Sequence, residues 1–280
     1  LAESFPRSTD LPTQSPLFWV AHKDRYLRQL LIRDIEALTK RKLLVYFSDC
    51  NVQGVEIDGG DDVFLAELLG SCPGEPVDLM IETNGGQTDA TEKLCSLLRS
   101  GPSDLRVVVP RRAKSNGTVL ALTGRSILMG NESELGPIDP SINGIPVEFI
   151  LAAPQGSFGP LDIQVATRFR DQTQKLAYGL LSSGMLAGKD EAFIRGIIAK
   201  IATRDHYHSH GSVIDASEAF NLGLSVENLP PTDELWKRMS LLRAMYQHDC
   251  TQQGFTKIFE GSRISLVVAP KPVAPPLPSP

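Results

Sequence analysis

Two adjacent glycines, Gly85 and Gly86, follow VDLMIE at 77–82, an apolar run that predicts a buried strand. Neighbouring glycines leave their backbone N–H groups unobstructed, so such a corner can cradle a carboxylate, a phosphate or a developing oxyanion. About thirty residues on, Ser115 follows a second strand-like run, LRVVVP at 105–110, and opens a short helical pattern over 116–124. Successive parallel strands bring their C-terminal ends side by side, which would let the glycine corner and Ser115 meet. The chemistry open to that pair is acyl transfer: a hydroxyl attacks a carbonyl whose oxygen rests on backbone donors. Gly117 permits a close approach behind the serine. Plainer roles remain open, a simple turn for the glycines and a helix N-cap for Ser115. Ser115 is not framed as G-x-S-x-G, which argues against an α/β-hydrolase elbow.

The elements that would position these residues are readable from periodicity. Leu27, Leu31, Ile35 and Leu38 recur at helical spacing and predict a helix over 22–40; LLVYFS at 43–48 predicts a strand. A flexible acidic turn is expected at 58–62, without calcium-loop spacing, with a helix over 62–70. Ala90, Leu94, Leu97 and Leu98 share a helical face, and SILMG at 126–130 reads as a strand. Strand–helix alternation with continuous apolar strands predicts an α/β fold with a parallel sheet covered on both faces. A Gly- and Pro-rich loop is expected over 131–161. Helices follow at 162–182, 190–203, 215–220 and 231–247, with a last strand at 265–269. The organisation expected is an N-terminal arm (1–18), one domain (19–269) and a Pro-rich tail (270–280).

Composition narrows the function classes. The 280 residues carry 28 Lys and Arg against 33 Asp and Glu, a net charge of −5, which speaks against a general nucleic-acid binder. No apolar stretch reaches membrane-spanning length. The opening residues lack the order of a signal peptide, and there is no initiator Met, so processing stays open. Four scattered cysteines without C-x-x-C read as free thiols in a reducing compartment, and a cytoplasmic location is expected. His206, His208 and His210 alternate, so an extended segment would put three imidazoles on one face as a zinc set; a solvated polar loop is the plainer reading. No cofactor is called for.

ETNGGQTDA, VVVPRRAKSNGTVLALTG and ILMGNESELGPIDP together resemble the ClpP/crotonase superfamily, and most of all its serine dehydrogenase proteinase family, related to signal peptide peptidase A. The family pattern T-P-G-G, A-K-S-A-G-T, S-E-L-G-P-I-D-P is met by Thr83 with Gly85 and Gly86, by Ala113–Ser115 with Gly117 and Thr118, and by Ser133–Pro140. The likeness runs from the helix of Arg25 to about residue 248. Asn84 stands where the family has Pro, and Asn116 where it has a small Ala. Neither removes a reacting group, and both bear on rate and substrate.

The resemblance implies a ClpP/crotonase-like fold of repeated β-β-α units and peptide hydrolysis through a Ser115 acyl-enzyme. Gly85, Gly86 and the backbone N–H of Asn116 would form the oxyanion site. In ClpP a His follows the nucleophile within a segment that here carries Asp139, so another base is needed. His210 or His208 with Asp139 as orienting acid, Lys175 folding back from the next helix, and Lys114 remain alternatives; Asp139 could also only stabilise its turn. The substrate implied is a peptide or unfolded protein, with homo-oligomers and a delivery partner as the expected company. A catalytically silent scaffold, and crotonase-type acyl-CoA chemistry with Arg111 and Arg112 as phosphate ligands, are the competing readings. Pyridoxal chemistry has no support in the residues.

Overall fold

Strands dense in Val, Leu and Ile, such as KLLVYFS and PVDLMIE, are buried on both faces, as the core of a parallel sheet requires. The computed structural model describes residues 15–270. In chain order its elements are α1 (Pro16–Ala21), α2 (Lys23–Thr39), β1 (Lys42–Ser48), α3 (Asp61–Gly70), β2 (Pro76–Glu82), α4 (Thr88–Ser100), β3 (Asp104–Val109), β4 (Arg112–Ala113), α5 (Asn116–Ala121) and β5 (Ser126–Met129). There follow β6 (Glu134–Leu135), β7 (Ser141–Ile142), β8 (Ile145–Pro146), α6 (Val147–Ala152), α7 (Pro160–Ser183), α8 (Glu191–Ile201), α9 (Ala216–Leu222), β9 (Val226–Asn228), α10 (Glu234–Gln253), β10 (Lys257–Glu260) and β11 (Ser265–Val268).

The main sheet has the order β11-β10-β1-β2-β3-β5-β9. The five strands from β1 to β9 run parallel, and β10 and β11 add an antiparallel edge. Alternate residues serve opposite faces. Leu43, Val45, Phe47, Met80 and Val108 pack on one side against α2 and α10, where Trp236 and Tyr246 are fully buried. Leu44, Tyr46, Leu79, Ile81 and Val107 pack on the other side against the remaining helices. Gly130 lies against the Trp236 indole so closely that a Cβ would fall 2.3 Å from its ring.

Past the main sheet, the chain forms short second-layer pairings before turning into each helix. Ile57 bridges Gly86, Thr83 bridges Ala113, β4 pairs with β6, and Leu135 bridges Ile214. These small ladders gather the ends of β2, β3 and β5 at one place.

Several expectations are corrected. The segment 131–161 is not a plain loop: it holds β6, β7, β8 and α6, the last packing Val147 and Ile150 onto Ala166 of α7. Residue 18, the expected end of the arm, lies within α1, and residues 1–14 and 271–280 lie outside the described residues, so the division into arm, domain and tail stays an expectation. Strands β9 and β10 were not foreseen, and the sheet is mostly rather than wholly parallel. The acidic turn at 58–62 is not a free surface element. Asp61 is buried, accepts from the Tyr46 hydroxyl at 2.7 Å and pairs with the buried Lys257 at 2.8 Å. Among the described residues no helix is long and apolar enough to cross a membrane.

Candidate active site

Ser115 stands in the turn between β4 and α5 with φ 52° and ψ −122°. The turn Lys114–Gly117 is closed by the Gly117 N–H donating to the Lys114 carbonyl at 2.7 Å. This is the type II′ geometry, whose first central position has positive φ and favours glycine. A serine there is held by its surroundings. Gly117 makes room behind it, since a Cβ at that position would lie 2.6 Å from the Thr83 methyl. The Thr118 hydroxyl ties α5 to the Ala113 and Gly136 carbonyls at 2.7 and 2.8 Å. The Ser115 side chain makes no capping hydrogen bond, so the N-cap role is set aside and the hydroxyl faces the cleft unengaged.

The glycine loop reaches the same turn from β2. Thr83 is stitched to the neighbouring strand by its N–H donating to Arg112 (3.1 Å) and by its carbonyl accepting from Lys114 (3.0 Å). Gly85 has φ 98°, and a Cβ there would meet the Ser115 Cβ at 2.7 Å, so only glycine allows this contact. A Cβ on Gly86 would fall 2.3 Å from the backbone of Ile57. The side chain of Asn84 donates to the Cys50 carbonyl at 3.0 Å, so this departure from the family pattern serves to anchor the loop.

Two backbone donors emerge from this packing. The Gly85 carbonyl accepts from Ile57 N–H at 2.8 Å, and the N–H of Gly86, on the opposite side of the same trans peptide, is therefore directed away from Ile57. The Ser115 carbonyl accepts from Thr118 and Val119 inside α5, so the N–H of Asn116 is directed out of the helix. Neither N–H has an acceptor among the described residues, whereas the Gly85 N–H is taken up by the Thr83 hydroxyl at 3.1 Å. Gly86 and Asn116 line one cleft of about 250 Å³ together with Ser115, Asp139, His210, Phe169 and Thr173.

The base candidates separate here. His210 Nδ1 lies 2.8 Å from Asp139 Oδ1, leaving Nε2 for the cleft. The second Asp139 oxygen accepts from Arg204 Nε at 2.6 Å, and this carboxylate is 2% exposed. Among the described residues there is no hydrogen bond between Ser115 and His210, although both line the cleft. Such contacts are often long without substrate. Lys114 turns the other way: its side chain crosses Gly136, and Nζ meets Glu134 at 3.0 Å and the Ser212 carbonyl at 2.9 Å. Lys175 is exposed in a separate cleft with Glu92, Arg168 and Asp171. It lies two positions beyond Thr173 on α7, which carries it round to another face. His208 contacts the Arg204 carbonyl at 3.2 Å and His206 meets Glu218 at 3.5 Å. The 205–210 segment is turned rather than extended, so the three imidazoles diverge, and among the described residues no His, Cys, Asp and Glu side chains group as a metal site. Arg112 Nε faces Glu134 at 3.6 Å.

Sequence reasoning missed Arg204, which neutralises Asp139 and fixes its rotamer, and Thr88, Phe169 and Thr173, which shape the cleft. Only the position of Arg204 at the head of the histidine cluster hinted at a role.

Residues 37–255 match the family described as ClpP-like SDH-type serine proteinase. An uncharacterized protein of Methanocaldococcus jannaschii, MJ0137, is 32% identical over 207 residues, covering 71% of this chain and 68% of that protein. A second from the same organism, MJ1495, is 29% identical over 126 residues, covering 45% of this chain and 43% of its own. Among solved structures, a mutant of the 1510-N membrane-bound stomatin-specific protease superposes with a TM-score of 0.44 at 17% identity, over 65% of this chain and 79% of that one.

Proposed function

The chain belongs to the ClpP-like SDH-type serine proteinase family, and from that premise we propose that it hydrolyses peptide bonds through an acyl-enzyme on Ser115. The observation that carries this reading is the meeting, in one cleft, of an unengaged serine hydroxyl, two outward backbone N–H groups and an imidazole braced by a buried carboxylate.

In this mechanism Ser115 Oγ attacks the scissile carbonyl carbon while its proton passes to His210 Nε2. Asp139 Oδ1 accepts the Nδ1–H and stabilises the imidazolium, with Arg204 holding the other oxygen. The carbonyl oxygen becomes an oxyanion on the N–H groups of Gly86 and Asn116, an arrangement in which a single donor is worth about 100- to 1000-fold in rate. Collapse breaks the C–N bond, and His210 returns the proton to the leaving amine. Water then attacks the ester and gives its proton to His210; the ester C–O bond breaks, and Ser115 is reprotonated. The substrate class is a peptide or an unfolded segment, as membership of a serine proteinase family implies.

The test is labelling with a fluorophosphonate, in which the serine oxygen displaces fluoride from phosphorus, located by peptide mass spectrometry in the wild type, Ser115→Ala and His210→Ala. Labelling at Ser115 that is lost in Ser115→Ala and at least tenfold slower in His210→Ala is expected. Full labelling in His210→Ala removes His210 from the mechanism. No labelling of the wild type, with no cleavage of an unfolded protein, points to the silent scaffold.

A further inference from the structure

We infer that the side chain of Asn116 is a positioning residue that clamps the Gly86 half of the oxyanion site to the Ser115 half. Its catalytic consequence rests on the Ser115 reading; the clamp itself does not.

The two donors of the site belong to different elements. One sits in the loop between β2 and α4, the other at the start of α5, and a preorganised site needs them held to about 0.5 Å. Asn116 Nδ2 donates to the Gly86 carbonyl at 2.5 Å and lies 3.2 Å from the Thr88 hydroxyl. Among the described residues the first is the only side-chain hydrogen bond between α5 and the glycine loop, and the second ties α5 to the start of α4. The amide orientation is decided by chemistry, since a carbonyl accepts and only the NH₂ end of the side chain can donate to it. Asn116 is 9% exposed, so its amide is not freely exchanging with water.

Gly86 is where such a clamp is needed. Without a Cβ its two flanking peptides turn easily; Ile57 ties both of them, its N–H donating to the Gly85 carbonyl at 2.8 Å and its carbonyl accepting from the Gln87 N–H at 2.9 Å, and leaves the Gly86 carbonyl itself to be held. The Asn116 amide grips the carbonyl on the other side. One residue thus supplies a backbone donor to the site and, through its side chain, holds the peptide that follows the second donor, limiting how far the Gly86 backbone can turn. An alanine, which the resembling family pattern carries at this position, would leave the Gly86 carbonyl without this partner.

The experiment compares wild type, Asn116→Ala and Asn116→Ser by hydrogen–deuterium exchange, by the rate of fluorophosphonate labelling at Ser115 and by hydrolysis of an unfolded-protein substrate. Serine at 116 is too short to reach Gly86 but keeps a polar atom in place, which guards against a variant that merely misfolds. Expected are exchange at least fivefold faster in peptides covering 83–90 with the remaining sheet unchanged, labelling about tenfold slower, and kcat lowered by a similar factor with KM within twofold. Wild-type exchange over 83–90 in both Asn116 variants overturns the clamp, and faster exchange with unaltered labelling overturns its catalytic consequence. If the wild type is never labelled, the Ser115 reading falls, and the exchange data alone decide the clamp.

Discussion

Replacing Ser115 by glycine is expected to make the protein more stable than replacing it by alanine. At φ 52° and ψ −122° an L-residue is strained, at a cost of about 1–3 kcal/mol, whereas glycine takes this conformation without penalty. Both substitutions remove the same hydroxyl, which caps nothing, so its loss cancels in the comparison. Both side chains are smaller than serine and create no clash. Against the relief stands the extra freedom of glycine in the unfolded chain, about 0.5–1 kcal/mol. At the middle of these ranges the difference favours Ser115→Gly by about 1 kcal/mol, an increase in Tm of about 2 °C over Ser115→Ala for a chain of this size. Urea unfolding followed by circular dichroism, with equal m-values for the two variants, measures it directly. A Ser115→Gly protein no more stable than Ser115→Ala would show that the turn is not strained, and the argument that surrounding packing imposes the serine's conformation would be refuted.

Two further outcomes follow from buried groups. Burial raises the Asp61 carboxyl above its ordinary value, against the pull of its hydrogen bonds from Lys257 and Tyr46. The folded state thus holds the proton more tightly than the unfolded chain, and between the unfolded value and the raised one this group's contribution to stability falls as pH rises. Removing the cation in Lys257→Met accentuates that direction: the variant is expected to lose about 3–5 kcal/mol near pH 8, and the deficit should shrink as pH is lowered towards 5. Urea midpoints across that range test it, and a deficit that is constant or grows in acid contradicts it. Cys50, Cys95 and Cys250 are pushed up to about 12 by burial, and all four cysteines are free thiols. At pH 8 about one such thiol in ten thousand is ionised, so disulfide reagents should modify the native protein far more slowly than the urea-unfolded chain. Fast native labelling at Cys95 or Cys250 would show their environment to be open.

Much of the site's vicinity was legible in linear order. The apolar runs that became β1, β2, β3 and β5, the helical face of α4, and the glycine pair next to a strand end all depend on local propensity and periodicity, which the chain carries within a few residues. Gly117 was readable for the same reason, as a small residue where a helix must approach a strand. Less legible were β9 and β10, three and four residues long, because their strand character comes from the neighbours they pair with. The segment 131–161 misled because Gly and Pro mark turns without telling how much short structure lies between them.

The amino-acid sequence by itself determined the α/β alternation, the glycine loop and the serine that faces it, since each rests on residue types and spacings that act locally. Which of the base candidates lies at the cleft was decided only by the tertiary structure. Lys114 is next to Ser115 in the chain, yet the turn sends its side chain to Glu134; Lys175 lies on the helix that lines the cleft, yet on its other face. His210 and Asp139, 71 positions apart, are brought together, and Arg204 closes the set. Distance along the chain does not report side-chain direction, which is settled when helices and second-layer ladders pack. The same holds for Asn116, which in the chain is only a residue beside a serine and in the fold grips the loop across the cleft.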